Sequence, residues 1–117
     1  MGKSYYQHPS EIGLPIIKLF IQNPMGECRK TIYHMERHYN WGFNKSSAIK
    51  YLWRLGHKTA DITKDLEKVI EYLEWELEDP KTPLSEDTRT AIQTAIAMCW
   101  ELQHDEIYRN QKSKSVL

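Results

Sequence analysis

Glycine and cysteine are scarce in this chain, and each scarcity closes off a chemistry. The 117 residues include five glycines, none of them clustered. There is no GxxxxGK[ST] loop and no GxGxxG turn, so neither common backbone cradle for phosphate is present. The two cysteines, Cys28 and Cys99, form no CxxC pair. In a reducing cytosol they are expected as free thiols in or near the core, with a Cys28–Cys99 disulfide as the less favoured alternative. No GxSxG elbow or credible setting for a nucleophilic cysteine occurs. Apolar runs are only a few residues long, which excludes a membrane-spanning helix. The first residues, Met1-Gly2-Lys3-Ser4-Tyr5-Tyr6, lack the apolar stretch of a secretory signal, so the expected location is the cytosol.

What is present is a helical pattern. Hydrophobic residues are 40% of the chain and charged residues 27%, as in a folded globule rather than a disordered chain. The length suits one domain. An all-α fold is expected: a small bundle of four to five helices, with an irregular N-terminal arm over 1–13, a helical core over 14–109 and a frayed tail over 110–117. The run Pro15–Ile21 is read as a short helix, since no other segment offers it a partner strand. Asn23-Pro24 starts a helix to about 38 with Met25, Cys28, Ile32 and Met35 as its apolar stripe. Tyr39-Asn40-Trp41-Gly42 ends it.

The next helix starts at Asn44 or Ser46 and runs to Leu55. Ala48, Ile49, Leu52 and Leu55 face inward and Gly56 caps its end. The connector 57–60 is so short that the following helix must fold back antiparallel. Asp61 caps that helix, which reaches Asp79. Its residues Ile62, Leu66, Val69, Ile70, Leu73 and Leu77 form the clearest amphipathic stripe of the chain. Glu67, Glu71, Glu74 and Glu78 line another face. A last helix starts at Thr82-Pro83 or Ser85 and ends near Arg109. Ala91, Ile92, Ala95, Ile96, Cys99, Leu102 and Ile107 supply its stripe, and its small residues suit close packing within or between chains.

Net charge is zero, but it is divided. Residues 1–58 hold nine Lys and Arg against three acids, and residues 59–117 hold seven against thirteen. The basic half suits phosphate; the acidic half repels it, holds a cation or neutralises the first half. The split also suits a homo-oligomer in which the basic half of one chain faces the acidic half of the next. Zero net charge and no clear helix-turn-helix argue against sequence-specific nucleic-acid binding.

Three constellations carry chemistry. Lys50 and Arg54 share a helix face; Lys58 follows, Arg37 and His38 precede, and Tyr39, Trp41, Tyr51 and Trp53 are interleaved. Cations neutralise phosphate and aromatic faces stack on bases, so the set suits a nucleotide. The bland alternative is that the cations pair with the acidic helix and the aromatics fill core. Glu71 and Glu74, with Glu101 and Asp105 from the last helix, are candidates for Mg²⁺, as in all-helical triphosphate pyrophosphatases; solvated glutamates are the commoner reading. His34 and His38 are spaced to chelate zinc, but no third ligand is evident.

In order along the chain stand His38-Tyr39, Gly42, Ala48-Ile49-Lys50-Tyr51-Leu52-Trp53-Arg54, Lys58, Asp65-Leu66-Glu67-Lys68 and Tyr72-Leu73. This third of the sequence resembles a small phage family described as nucleotide kinases, similar to the accessory dTMP/dGMP kinase of bacteriophage T7. Ser46-Ser47 and Val69 depart from the family pattern, and the last helix looks like an addition. The resemblance implies a phage origin, the cytoplasm of the infected bacterium, and a nucleotide ligand with ATP and Mg²⁺ as cofactors. Arg37, His38, Tyr39, Lys50, Tyr51, Arg54 and Lys58 then become the expected ligand contacts, with His38 as the candidate catalytic group. A non-catalytic phage protein that sequesters a nucleotide signal of host defence needs the same contacts and no metal.

Overall fold

The computed structural model describes residues 9–22, 24, 32–57, 61–80 and 82–116; for 32–34, 108 and 110–116 it describes the backbone alone. The described residues form five helices: α1 Leu14–Ile17, α2 Ile32–Tyr39, α3 Gly42–Trp53, α4 Thr63–Glu78 and α5 Glu86–Val116. They include no strand, as the helical periodicity predicts. No described helix is long and apolar enough to cross a membrane.

The helix ends follow from local chemistry. The Asp61 carboxylate accepts the Thr63 N–H at 3.0 Å and its hydroxyl at 2.7 Å, taking up an orphan donor of the first turn of α4. Those two bonds hold the Asp61 carboxyl below its ordinary range. Ser85 does the same for α5, accepting the Thr88 N–H at 3.1 Å, with Glu86 and Asp87 in the first turn, where the helix dipole favours acids. Gly56, just past α3, has φ +81°, the left-handed conformation that a side chain resists. Asn40, at φ +55°, turns the chain between α2 and α3.

The bundle is built around α3, which packs against α1, α2 and α4, while α4 also packs against α5. Ala48, Ile49, Leu52 and Leu55 are buried as expected, and so is Trp53. Opposite them are Ile62, Leu66, Val69, Ile70 and Leu73 of α4, joined by Ile92, Ala95, Ile96 and Cys99 of α5. Each such aliphatic side chain contributes about 1.5–3 kcal/mol on leaving water. Cys99 is a free thiol, and burial pushes its pKa up to about 12, which makes it a small apolar filler rather than a nucleophile. Cys28, Met25 and Asn23, the cap expected for α2, lie outside the described residues; Pro24 is buried.

The described end of the N-terminal arm, residues 9–13, is irregular as expected, and it is anchored: Pro9 and Ser10 are buried, and the Ser10 N–H donates to the Trp53 carbonyl at 2.8 Å. The Ser10 hydroxyl accepts the N–H groups of Ile12 and Gly13, each at 3.2 Å. Two expectations change. First, α3 starts at Gly42, earlier than Asn44. Second, α5 does not stop near Arg109 but continues to Val116, and Ile107, expected in its core stripe, is 46% exposed.

Gly13 lies where α1 meets the end of α3. A Cβ at this position would run into the Leu52 carbonyl oxygen, a backbone atom that cannot swing aside. Gly13→Ala is therefore expected to destabilise the fold by about 1–3 kcal/mol in urea denaturation. Gly56→Ala, strained by its positive φ and set 3.3 Å from the end of the Ile12 side chain, which can move, should cost about 1 kcal/mol.

Candidate ligand-binding face

Phe43, Ser47, Lys50 and Tyr51 of α3, with Arg54 at its C-terminal cap, lie outside the buried core and fall on one side of the helix at its period of 3.6 residues. The Arg54 guanidinium carbon lies 4.8 Å from the centre of the Tyr51 ring, within cation–π distance. Its Nε is buried with no hydrogen-bond partner. Stacking on the ring, rather than hydrogen bonding, holds this side chain in place. Among the described residues neither Lys50 nor Arg54 has a carboxylate partner: the ion pair found there joins Arg109 and Glu106 at 3.5 Å. The alternative in which the acidic helix neutralises Lys50 and Arg54 by direct pairing is thus not what the structure holds.

The aromatic row continues onto α4. Tyr51 stacks on Tyr72 with centroids 6.0 Å apart and planes 22° from parallel. Tyr72 in turn meets Phe43 edge-on at 5.7 Å and Trp75 at 5.5 Å. Phe43 is 72% exposed and Trp75 44%, so the most open rings of the row stand toward the N-terminal end of α3, away from Lys50 and Arg54. Aromatic pairs in this geometry are worth about 0.5–1.5 kcal/mol beyond area burial, which stiffens the row.

The structure divides the residues that the sequence grouped together. Lys50, Tyr51 and Arg54 form one cluster at the C-terminal end of α3. Arg37, His38 and Tyr39 lie in the last turn of α2, which leads into the opposite end of α3. His38 is exposed and meets the Tyr39 ring edge-on at 4.7 Å, and Tyr39 stacks on Trp41 at 5.1 Å. At 1.5 Å per residue the two ends of α3 are about 16 Å apart. Trp41 and Trp53, interleaved with the cations in sequence, are buried in the core. Lys58 and the side chain of His34 lie outside the described residues.

The carboxylates are divided as well. Glu71 and Glu74 line a cleft of about 410 Å³ with Glu67, Trp100 and Gln103. Glu101 and Asp105 line another, of about 150 Å³, with Ile12 and Pro15. Among the described residues no three or more His, Cys, Asp or Glu converge as a metal site. The four-carboxylate Mg²⁺ site is therefore not assembled.

Sequence reading missed Phe43, Tyr72 and Trp75 as a surface cluster. The signal was there: Tyr72-x-x-Trp75 puts two large rings between glutamates and off the apolar stripe of α4. It also missed Glu76, which is buried at 3% exposure where α4 faces Lys45 and Asn44 of α3. Burial raises the Glu76 pKa, with the neighbouring Asp79 adding to the rise; the Lys45 charge and a hydrogen bond from Asn44 oppose it. Burial likewise lowers the pKa of Lys45 against the attraction of Glu76. Glu76 and Asp79 line a cleft of about 530 Å³ with Glu36, Gly42, Phe43, Asn44 and Ser46, so the far end of the aromatic row is acidic. No protein-family model, curated protein or solved structure matches the chain.

The raised pKa of Glu76 fixes a sign. A carboxyl that binds its proton more tightly in the fold contributes stability present below its unfolded pKa and lost as pH rises through the folded value. Glu76→Gln keeps a group able to bond Asn44 and removes the charge. The variant should be more stable than the parent at pH 7, and the difference should shrink as pH falls toward 4; paired thermal melts across that range check it.

Proposed function

We propose that the chain is a phage nucleotide-binding protein that holds the phosphates of a nucleotide with Lys50 and Arg54 and lays its base against the exposed aromatic row. The observation that carries this reading is the pair of cations one turn apart on α3, without carboxylate partners among the described residues, with Tyr51 against Arg54 and the row of rings running on through Tyr72 to Phe43. A guanidinium already stacked on a ring loses little freedom on meeting a phosphate, and its fork matches phosphate oxygens. Stacking on aromatic side chains contributes about 1–3 kcal/mol per base. The acidic cleft beyond Phe43 repels phosphate, which favours an orientation with the phosphates at the Lys50 and Arg54 end. The resemblance of residues 38–73 to phage nucleotide kinases supports the same ligand class.

Binding is the reading, and phosphotransfer is not part of it. Phosphoryl transfer needs the donor, the acceptor and the metal held together. Here His38 is at the other end of α3 from Lys50 and Arg54, and the acidic candidates Glu71, Glu74, Glu101 and Asp105 are in two separate clefts. That separation favours sequestration of a nucleotide signal, such as one used in host defence, over the nucleoside monophosphate kinase. The same division of carboxylates leaves the Mg²⁺-dependent pyrophosphatase without its metal site.

Calorimetry against nucleoside mono-, di- and triphosphates and cyclic dinucleotides, followed by chromatography of the ligand with and without ATP and Mg²⁺, tests the reading. Binding with the ligand recovered unchanged is expected. Lys50→Ala and Arg54→Ala should each weaken binding by about tenfold or more, the scale of one charged hydrogen bond, while His38→Ala should leave it unaltered. Binding that survives the Lys50→Ala, Arg54→Ala double variant moves the site elsewhere. No binding to any of these ligands overturns the function.

A further inference from the structure

The open side of α3 has a spacing as well as a chemistry. Phe43, Ser47, Lys50 and Arg54 are four, three and four residues apart, so they follow one another turn by turn in nearly a straight line. From Phe43 the axial rise is about 10 Å to Lys50 and about 16 Å to Arg54. The Arg54 side chain leans back over the Tyr51 ring, and Tyr51 is about 12 Å along the axis from Phe43. The rings nearest the cations are already in use. Tyr51 carries the Arg54 guanidinium at 4.8 Å and Tyr72 at 6.0 Å, and Tyr72 meets Phe43 and Trp75 edge-on. Phe43, at 72% exposure, is the ring on this line with surface free for a base.

Given the reading of this face as a nucleotide site, we infer that it selects its ligand by length: the base lies on Phe43, the ribose over Ser47, and the distal phosphates of a nucleoside 5′-triphosphate or longer polyphosphate reach Lys50 and Arg54. In a monophosphate the ribose alone separates phosphorus from base, which leaves the anion near Ser47 and short of Arg54. Each added phosphoanhydride link carries charge one step further along the line. The electrostatic layout has the same polarity, with Glu36, Glu76 and Asp79 lining the cleft at the Phe43 end and the two cations at the other. A ligand with one neutral end and one strongly anionic end matches it. A nucleic-acid strand, anionic throughout, needs cations along its whole path. A cyclic dinucleotide holds its phosphates between two bases, whereas the row of rings lies on one side of Arg54.

Calorimetry of the full chain, without added metal, against adenosine mono-, di- and triphosphate and inorganic tripolyphosphate tests this. Affinity should rise by at least about tenfold from mono- to triphosphate, the scale of one charged hydrogen bond. Adenosine 3′,5′-bisphosphate, which has at least the charge of the diphosphate without its reach, should bind no better than the monophosphate. The Lys50→Ala, Arg54→Ala double variant should flatten the series. Phe43→Ala should weaken the triphosphate by at least about fivefold, the scale of one stacked base, and leave tripolyphosphate unchanged, which also shows that the variant is folded. A monophosphate or bisphosphate that binds through Lys50 and Arg54 as tightly as the triphosphate overturns the selection by length and leaves the nucleotide reading standing. Triphosphate binding indifferent to Phe43→Ala overturns the placement of the base. Absence of binding by every one of these ligands overturns both.

Discussion

The antiparallel seam between α3 and α4 decides where every other group in the molecule lies. Leu52, Trp53 and Ile49 on one side meet Leu66, Val69 and Leu73 on the other, and the short passage through Gly56 allows no other approach. Because α1 closes on the end of α3 through Ser10 and Gly13, α3 is covered on more of its circumference than a peripheral helix is. Only one side remains for solvent, and it carries Phe43, Lys50, Tyr51 and Arg54. The same seam rotates Tyr72 and Trp75 of α4 to its outer edge, next to that side. The aromatic row is thus a by-product of a well-filled core: the rings stand out because the aliphatic positions on both helices are already taken.

The seam also explains the one charged side chain that is buried among the described residues. Glu76 is on the α3 side of α4, one turn beyond Leu73, at 3% exposure on the wall of the cleft it shares with Glu36 and Asp79. Lys45 and Asn44 compensate it in part. Buried ionic pairs are weak contributors to stability because desolvation offsets their attraction. Here burial biases both partners toward their neutral forms, so the pair adds little to stability.

Much of this architecture was legible in the residues. The stripe from Ile62 to Leu73, the caps at Asp61 and Ser85 and the glycine stop at Gly56 are local signals, and local signals survive into the fold. What was not legible depends on tertiary cover. Trp53 reads as an aromatic among cations, because sequence does not tell that α3 is wrapped on two sides. The segment after Arg109 reads as a frayed tail, because amphipathic periodicity fades where a helix has no core to face within its own chain. Grouping His38 with Lys50 rested on nearness in sequence, and twelve residues of helix put them at opposite ends. That Lys50 and Arg54 share one face of α3 was legible, since a spacing of four on a helix needs no tertiary information.

The four tryptophans divide the molecule in a way that spectroscopy can use. Trp41 and Trp53 are enclosed, Trp75 stands at the edge of the aromatic row, and Trp100 of α5 stands by the glutamates of α4. The two enclosed indoles emit to the blue, while the two exposed ones supply the red side of the fluorescence and the part that a soluble quencher reaches. An event at the α3 face registers on Trp75 and an event along α5 on Trp100, so replacing either one with phenylalanine leaves a single surface reporter. The chain therefore carries its own pair of optical probes, one for each exposed face, with no label attached.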